Sequence, residues 1–238
     1  MKPTHSVLDS SAIAAESGSA PKDRRPVASR DWSVMQSLAT ALARAGATPN
    51  SISVAGCLAA LLAGVSLAAS AHTSGGIARA LCVAAAVLIL VRLIANLLDG
   101  MVAVQTGKAS ALGELYNDFP DRVSDVAVLF GAGLATGSSP LLGLGAAVAA
   151  VSCAYVRYLG AVAAGGQDYC GPFAKQQRMT TIAAVAMVQA IAPAQWWVAR
   201  GAVGGPWTWA LLLVLVGTLV TVLRRLIRIA KRLRTPRE

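Results

Sequence analysis

Residues 96–125 read NLLDGMVAVQTGKASALGELYNDFPDRVSD and hold five of the chain's eleven acidic residues: Asp99, Glu114, Asp118, Asp121 and Asp125. Long apolar runs flank this stretch, and between Arg44 and the basic C-terminal segment the only other acid is Asp168. A carboxylate at the centre of a bilayer costs about 2.5–3.5 kcal/mol on insertion scales, so it is paired, hydrated or bound to a metal. Asn96, Asp99 and Ala103 recur at i, i+3, i+7, and Gly113, Asn117, Asp121 and Asp125 recur every four residues. Each set marks one face of a helix. Two such helices facing each other would converge amide and carboxylate oxygens on one point, as bundles do to hold a hard divalent cation. The alternative is a hydrated loop whose acids pair with Arg122, Arg92 and Lys108.

Composition decides the solvent. Hydrophobic residues make up 55% of the 238 and charged residues 13%, and the net charge is +10. Thirteen of the twenty-one Lys and Arg residues lie before position 45 or after 223. This places the positive charge beside anionic headgroups and argues against a nucleic-acid partner. Cys57, Cys82, Cys153 and Cys170 form no CxxC or Cys/His cluster, so neither a disulfide framework nor a zinc site is expected. No apolar h-region follows Lys2, which argues against a cleaved signal peptide.

Residues 1–30 lack hydrophobic periodicity and read as a disordered tail. Residues 31–46 carry Trp32, Met35, Leu38 and Leu42 as one stripe and predict an amphipathic juxtamembrane helix that Asp31 would cap. Residues 47–224 predict an all-α polytopic membrane domain with six transmembrane helices near 50–71, 77–104, 109–135, 141–164, 179–198 and 207–223. Thr48-Pro49-Asn50 is a helix start, Thr136 to Pro140 a tight turn and Gly165–Arg178 a polar loop. Trp196, Trp197, Trp207 and Trp209 suit an interfacial belt. Residues 225–238 read as a basic cytoplasmic tail. Lys and Arg fall mainly at the termini and in the loops after spans two and four, which predicts both termini and the acidic stretch on the cytoplasmic side.

The acidic stretch also resembles the signature of the CDP-alcohol phosphatidyltransferases, D-x2-D-G-x2-A-R-x8-G-x3-D-x3-D. This chain reads Asn96-x2-Asp99-Gly100-x2-Ala103-Val104-x8-Gly113-x3-Asn117-x3-Asp121, with every interval kept. Asn96 and Asn117 stand for aspartates and Val104 for the arginine. The Thr48-Pro49-Asn50 opening is similar to the first membrane helix of that family. Tyr155 and Arg157, with Lys175 and Arg178, resemble its Y-x-R and R-x2-R.

The resemblance implies a bacterial inner-membrane enzyme of phospholipid biosynthesis, multi-pass and homodimeric. It would transfer a phosphoalcohol group from a CDP-linked lipid donor to a small alcohol acceptor among membrane lipids, releasing CMP. It implies Mg²⁺ or Mn²⁺ held by Asn96, Asp99, Asn117 and Asp121, with Asp121 also the catalytic base. Gly100, Ala103 and Gly113 would admit the nucleotide, and Arg157, Lys175 and Arg178 would bind phosphate. Glu114, Asp118 and Asp125 are auxiliary acids, the first two placed to restore charge that the asparagines lack. The rival expectation is a catalytically impaired relative serving as a lipid- or nucleotide-binding scaffold. A transporter fits less well, because these carboxylates gather at one membrane face and not at the midplane.

Overall fold

The computed structural model describes residues 32–107, 111–192 and 204–234, without the side chains of positions 111, 112 and 114. Among the described residues it is all-helical, with no strand. Seven helices follow in order: α1 Ser33–Arg44, α2 Pro49–Ser70, α3 Gly75–Gln105, α4 Ala111–Leu134, α5 Pro140–Ala164, α6 Lys175–Ile191 and α7 Pro206–Arg234. Four of them, α2, α3, α5 and α7, are long and apolar enough to cross a membrane. Their outward faces carry large apolar side chains such as Leu58, Leu62, Val87, Val148 and Leu219, the surface that lipid rather than water would cover.

Local chemistry sets the helix boundaries. Thr48 caps α2 through a reciprocal capping box with Ser51, and Pro49 fills the first helical position. Ser139 caps α5 by accepting from the Leu142 N–H, Pro140 fills its first position, and Gly165 closes it in a left-handed conformation. The α6 helix ends at Ile191, two residues before Pro193, and Ala192 is extended. The α1 helix has Trp32 as N-cap without a side-chain cap, while Asp31 lies outside the described residues, as do Lys108, Trp196 and Trp197.

Three sequence expectations are corrected. Trp207 is 1% exposed in the core, whereas Trp209 is 65% exposed, so only the latter suits an interfacial belt. The polar loop ends earlier than expected, because α6 begins at Lys175 and carries Arg178 in its first turn. The basic C-terminal stretch is helical as far as Arg234 and continuous with α7. At 1.5 Å per residue its 29 residues extend about 43 Å, beyond the ~30 Å hydrocarbon core.

Small residues let the helices close up. The α2 helix packs on both α3 and α4, α5 packs on α4 and α7, and α6 packs on α3. Where α2 crosses α4, Gly64 and Gly131 meet backbone to backbone: a Cβ on Gly131 would fall 2.6 Å from Gly64 Cα. The core between them is mostly Ala, Ile, Leu and Val, including Ala60, Ala63, Leu67, Ile89, Val128 and Leu129. By contrast, α3 and α4 touch each other little. What joins them directly is polar.

Candidate active site

The start of α2, the end of α3, the starts of α4 and α6 and the ends of α5 and α7 all lie at one end of the bundle, and polar side chains from these elements meet there. Asn96 on α3 faces Asn117 and Asp121, one turn apart on α4, and Asp99 follows one turn further along α3, bonded to Ser53 of α2. The Asn96 amide donates to Asn117 Oδ1 at 3.1 Å and to Asp121 Oδ1 at 3.2 Å. Asp99 is 3% exposed; its Oδ2 accepts from Ser53 Oγ and its Oδ1 from the Gly100 N–H, both at 2.6 Å. The helical periodicity of the two half-motifs thus brings Asn96 together with Asn117 and Asp121, while Asp99 is held by Ser53 of α2 and by its own helix.

Asp121 is the most heavily engaged. Arg92 Nη2 donates to its Oδ1, Lys175 Nζ lies 2.5 Å from the same oxygen, and Arg122 Nη2 stands 3.5 Å from Oδ2. Arg92 is 1% exposed and also donates through Nε to Ser124 Oγ at 3.0 Å. The pairing of Asp121 with Arg92 and Arg122 is the ion-paired alternative of the sequence; the loop it presupposed is a helix, partly exposed at its start.

The remaining predicted residues divide. Asp118 leaves the cluster to accept from Arg157 at 3.0 Å, and the Arg157 guanidinium lies over the rings of Tyr158 and Tyr169. Asp125 is fully buried one turn deeper and accepts from Arg178 Nη2 at 2.7 Å; Arg178 also donates to the Phe173 carbonyl. Gly100, Ala103 and Gly113 are partly exposed at the open end. Tyr155 is 66% exposed on the outside of the bundle, and the Glu114 side chain lies outside the described residues. Sequence reasoning missed Ser53 and Ser124. The only signal for either was a small hydroxyl within an apolar helix, with Ser124 one turn after Asp121.

A second polar layer secures the α5–α6 loop against α7. Arg225, 5% exposed, donates to the carbonyls of Cys153 and Cys170 at 2.9 and 3.0 Å. Phe173 N–H donates to Thr221 Oγ1, and Gly171 at φ +125° passes so close to Thr221 that no Cβ would fit. Asp168 accepts from the Cys170 N–H at 2.9 Å and faces Arg232 at 3.5 Å and Arg228 at 3.8 Å. Burial pushes the Asp168 carboxyl up, but this hydrogen bond and the two guanidiniums outweigh it and hold the group below the usual carboxylate range. The loop so fixed delivers Lys175 and Arg178 to Asp121 and Asp125.

Among the described residues no three His, Cys, Asp or Glu side chains form a metal-binding group. The motif supplies two carboxylates, and the other two positions are amides. Asp99, Asp121 and the amide oxygens of Asn96 and Asn117 are nonetheless all hard oxygen donors on adjoining turns, a set that fits Mg²⁺ or Mn²⁺ by type.

Solved structures share this fold. A Mycobacterium tuberculosis phosphatidylinositol phosphate synthase, PgsA1, with CDP-DAG bound is 18% identical at TM-score 0.62, the match covering 82% of this chain and 93% of that one. The same synthase in complex with manganese and citrate is 20% identical at TM-score 0.64, with coverages of 82% and 88%. Its apo form is 21% identical at TM-score 0.63, with coverages of 82% and 95%. No family model matches the sequence, and no curated protein does. At these identities the likeness establishes the fold.

Proposed function

We propose that this chain is a metal-dependent CDP-alcohol phosphatidyltransferase of phospholipid biosynthesis. It would transfer a phosphoalcohol group from a CDP-linked lipid to an alcohol hydroxyl and release CMP. The observation that carries the reading is the meeting of Asn96 with Asn117 and Asp121, with Asp99 buried one turn further along α3, in a fold otherwise seen with CDP-DAG and with manganese. On this reading the chain is a six-span homodimer of the bacterial inner membrane, with α4 and α6 as the third and fifth spans. The α1 helix would lie at the cytoplasmic surface with Trp32, Val34 and Leu38 exposed to lipid.

Asp99 and Asp121, with the amides of Asn96 and Asn117, would hold the divalent cation. When bound, the cation neutralises charge on the donor diphosphate and on the departing CMP. Ser53 and the Gly100 N–H fix the Asp99 rotamer, so the ligand is oriented before substrate arrives. Asp121 would take the proton from the attacking hydroxyl. Gly100, Ala103 and Gly113 leave room beside α3 and α4 for the nucleotide to approach the backbone. Arg157, Lys175 and Arg178 present guanidinium and ammonium donors suited to phosphate oxygens.

The second reading is a non-catalytic lipid- or nucleotide-binding scaffold, favoured by the ion pairs that occupy Asp121. Purified protein incubated with CDP-diacylglycerol, Mn²⁺ and a panel of alcohols separates the two. CMP release with one acceptor establishes the transferase; nucleotide binding without CMP release from any acceptor establishes the scaffold.

A further inference from the structure

We propose that Lys175 is an exchangeable counter-cation of the site: it occupies Asp121 in the substrate-free protein, competes there with the divalent metal, and leaves for the phosphate of a bound substrate. The proposal rests on the transferase reading above. Two cations, Arg92 Nη2 and Lys175 Nζ, crowd one oxygen, Asp121 Oδ1. Both remain underused as donors: Arg92 Nη1 is buried without an acceptor, and Lys175 Nζ is buried in its ion pair without a well-formed hydrogen bond. A buried, unsatisfied charged donor is costly, and the shared remedy is a ligand bearing several acceptor oxygens.

The two cations are not equally free to move. Arg92 is held through Nε by Ser124 and is 1% exposed within the bundle, its guanidinium packed beside Gly56. Lys175 stands at the first position of α6, at the open end of the site, with its side chain 13% exposed. Its ammonium is a point charge on a flexible stem that can turn its three donors toward a new partner. Lys175 is therefore the cation that exchanges and Arg92 the one that stays. The two asparagines belong to the same logic: with two carboxylates in place of four, a single ammonium on Asp121 is a large part of the local charge balance.

This arrangement couples metal and substrate. A metal entering the substrate-free site must displace Lys175 from Asp121, whereas a phosphate that has already drawn Lys175 away leaves the carboxylate open. Each ligand then tightens the other reciprocally. Neutralising Lys175 should accordingly tighten Mn²⁺ binding to the substrate-free protein while abolishing CMP release.

The test is calorimetric titration of Mn²⁺ into detergent-solubilised, nucleotide-free protein: wild type, Lys175→Gln, Lys175→Met and Lys175→Arg. Two neutral variants are used so that a folding failure in one leaves the other. Either is expected to bind Mn²⁺ about tenfold or more tightly than wild type, because a like charge beside the ligand carboxylate is gone. Lys175→Arg should stay within about threefold, since the charge is kept. Unchanged or weaker binding in the neutral variants overturns the exchange, and the transferase reading survives if wild type still releases CMP. Tighter binding with no CMP release from wild type supports the exchange and removes the transferase. Absence of Mn²⁺ binding in every variant overturns the exchange, and the metal site with it.

Discussion

Arg178 and Asp125 form an ion pair at 2.7 Å between side chains 3% and 0% exposed, linking the first turn of α6 to the middle of α4. Asp125 Oδ1 and Arg178 Nε find no other partner. Asp125 thus serves as the anchor of the helix that presents Asp121 one turn earlier. Removing either partner strands a buried charge, at a cost of about 3–5 kcal/mol, whereas an apolar pair of similar volume is often neutral or stabilising. Asp125→Ala and Arg178→Met should each lower resistance to SDS unfolding by roughly that amount, and Asp125→Leu with Arg178→Met should recover most of it.

Close packing of α2 on α4 sets the same helix from its other side. A methyl group on Gly131 would meet the Gly64 backbone, and overpacking of this kind costs typically about 1–3 kcal/mol. The gain in helix propensity from Gly to Ala is about 1 kcal/mol, so the clash wins. Gly131→Ala should lower the melting temperature in detergent. Gly76→Ala, where nothing stands within 4 Å of the new Cβ, should leave it unchanged or raise it slightly.

Much of this was legible in the sequence. Thr48-Pro49 gives the start of α2, the apolar run from Ile77 to Val104 lies within Gly75–Gln105, and the i, i+4 pattern places Asn117 beside Asp121. Other features lack a local signal. Trp207 follows a Pro and a Gly pair like an interfacial residue, yet tertiary packing takes it into the core. Arg225 sits in a run of basic residues, and only the fold supplies the carbonyls that bury it, Cys153 of α5 and Cys170 of the α5–α6 loop. Lys175-Gln-Gln-Arg178 has no apolar residue to announce a helix. Its first turn is fixed by Asp121 and Asp125, more than fifty residues earlier.

Asp168 makes the loop strap sensitive to acid. Its folded pKa is depressed, so its stabilising contribution is full above the unfolded value near 3.9. It is lost as pH falls through the lower folded value, because the unfolded chain then binds the proton first and the folded one last. Asp168→Asn should be less stable than wild type at pH 7, and the gap should close as pH drops below about 4. A pH series of thermal unfolding on the two proteins checks this; a gap that stays constant from neutral pH to well below the carboxylate range excludes it.

Topology follows from charge. On the proposed six-span reading, the basic residues concentrated at both ends would place the segments before α2 and after α7 on the cytoplasmic side. A reporter fused after Glu238 that is active only in the cytoplasm should give signal, and one active only in the periplasm should be silent.

The sharpest contrast between the transferase and the scaffold lies at the motif itself. Asp99→Asn and Asp121→Asn are nearly isosteric, so the bundle should still assemble, read as an unchanged elution profile in detergent, although Asp121→Asn leaves Arg92 and Lys175 without their anion and should lower stability. At Asp121 the loss of a positioned base should lower CMP release by ~10²–10⁴. At Asp99 the loss of a ligand whose orientation Ser53 and the Gly100 N–H already fix should weaken Mn²⁺ binding as well as turnover. The reverse changes, Asn96→Asp and Asn117→Asp, add charge at donors that already meet through the Asn96 amide, and each should tighten Mn²⁺. Asn96→Asp also removes the amide donor that bridges Asn117 and Asp121, placing three acceptors side by side. In Asn117→Asp the new carboxylate keeps that donor, because the Asn96 amide remains and partly offsets the added charge. The gain in Mn²⁺ affinity should therefore be larger for Asn96→Asp. Calorimetric titration of Mn²⁺ into wild type and the four variants decides it. If wild type binds no Mn²⁺ and neither restored aspartate creates a site, the carboxylates are structural ion-pair partners and the chain is the scaffold.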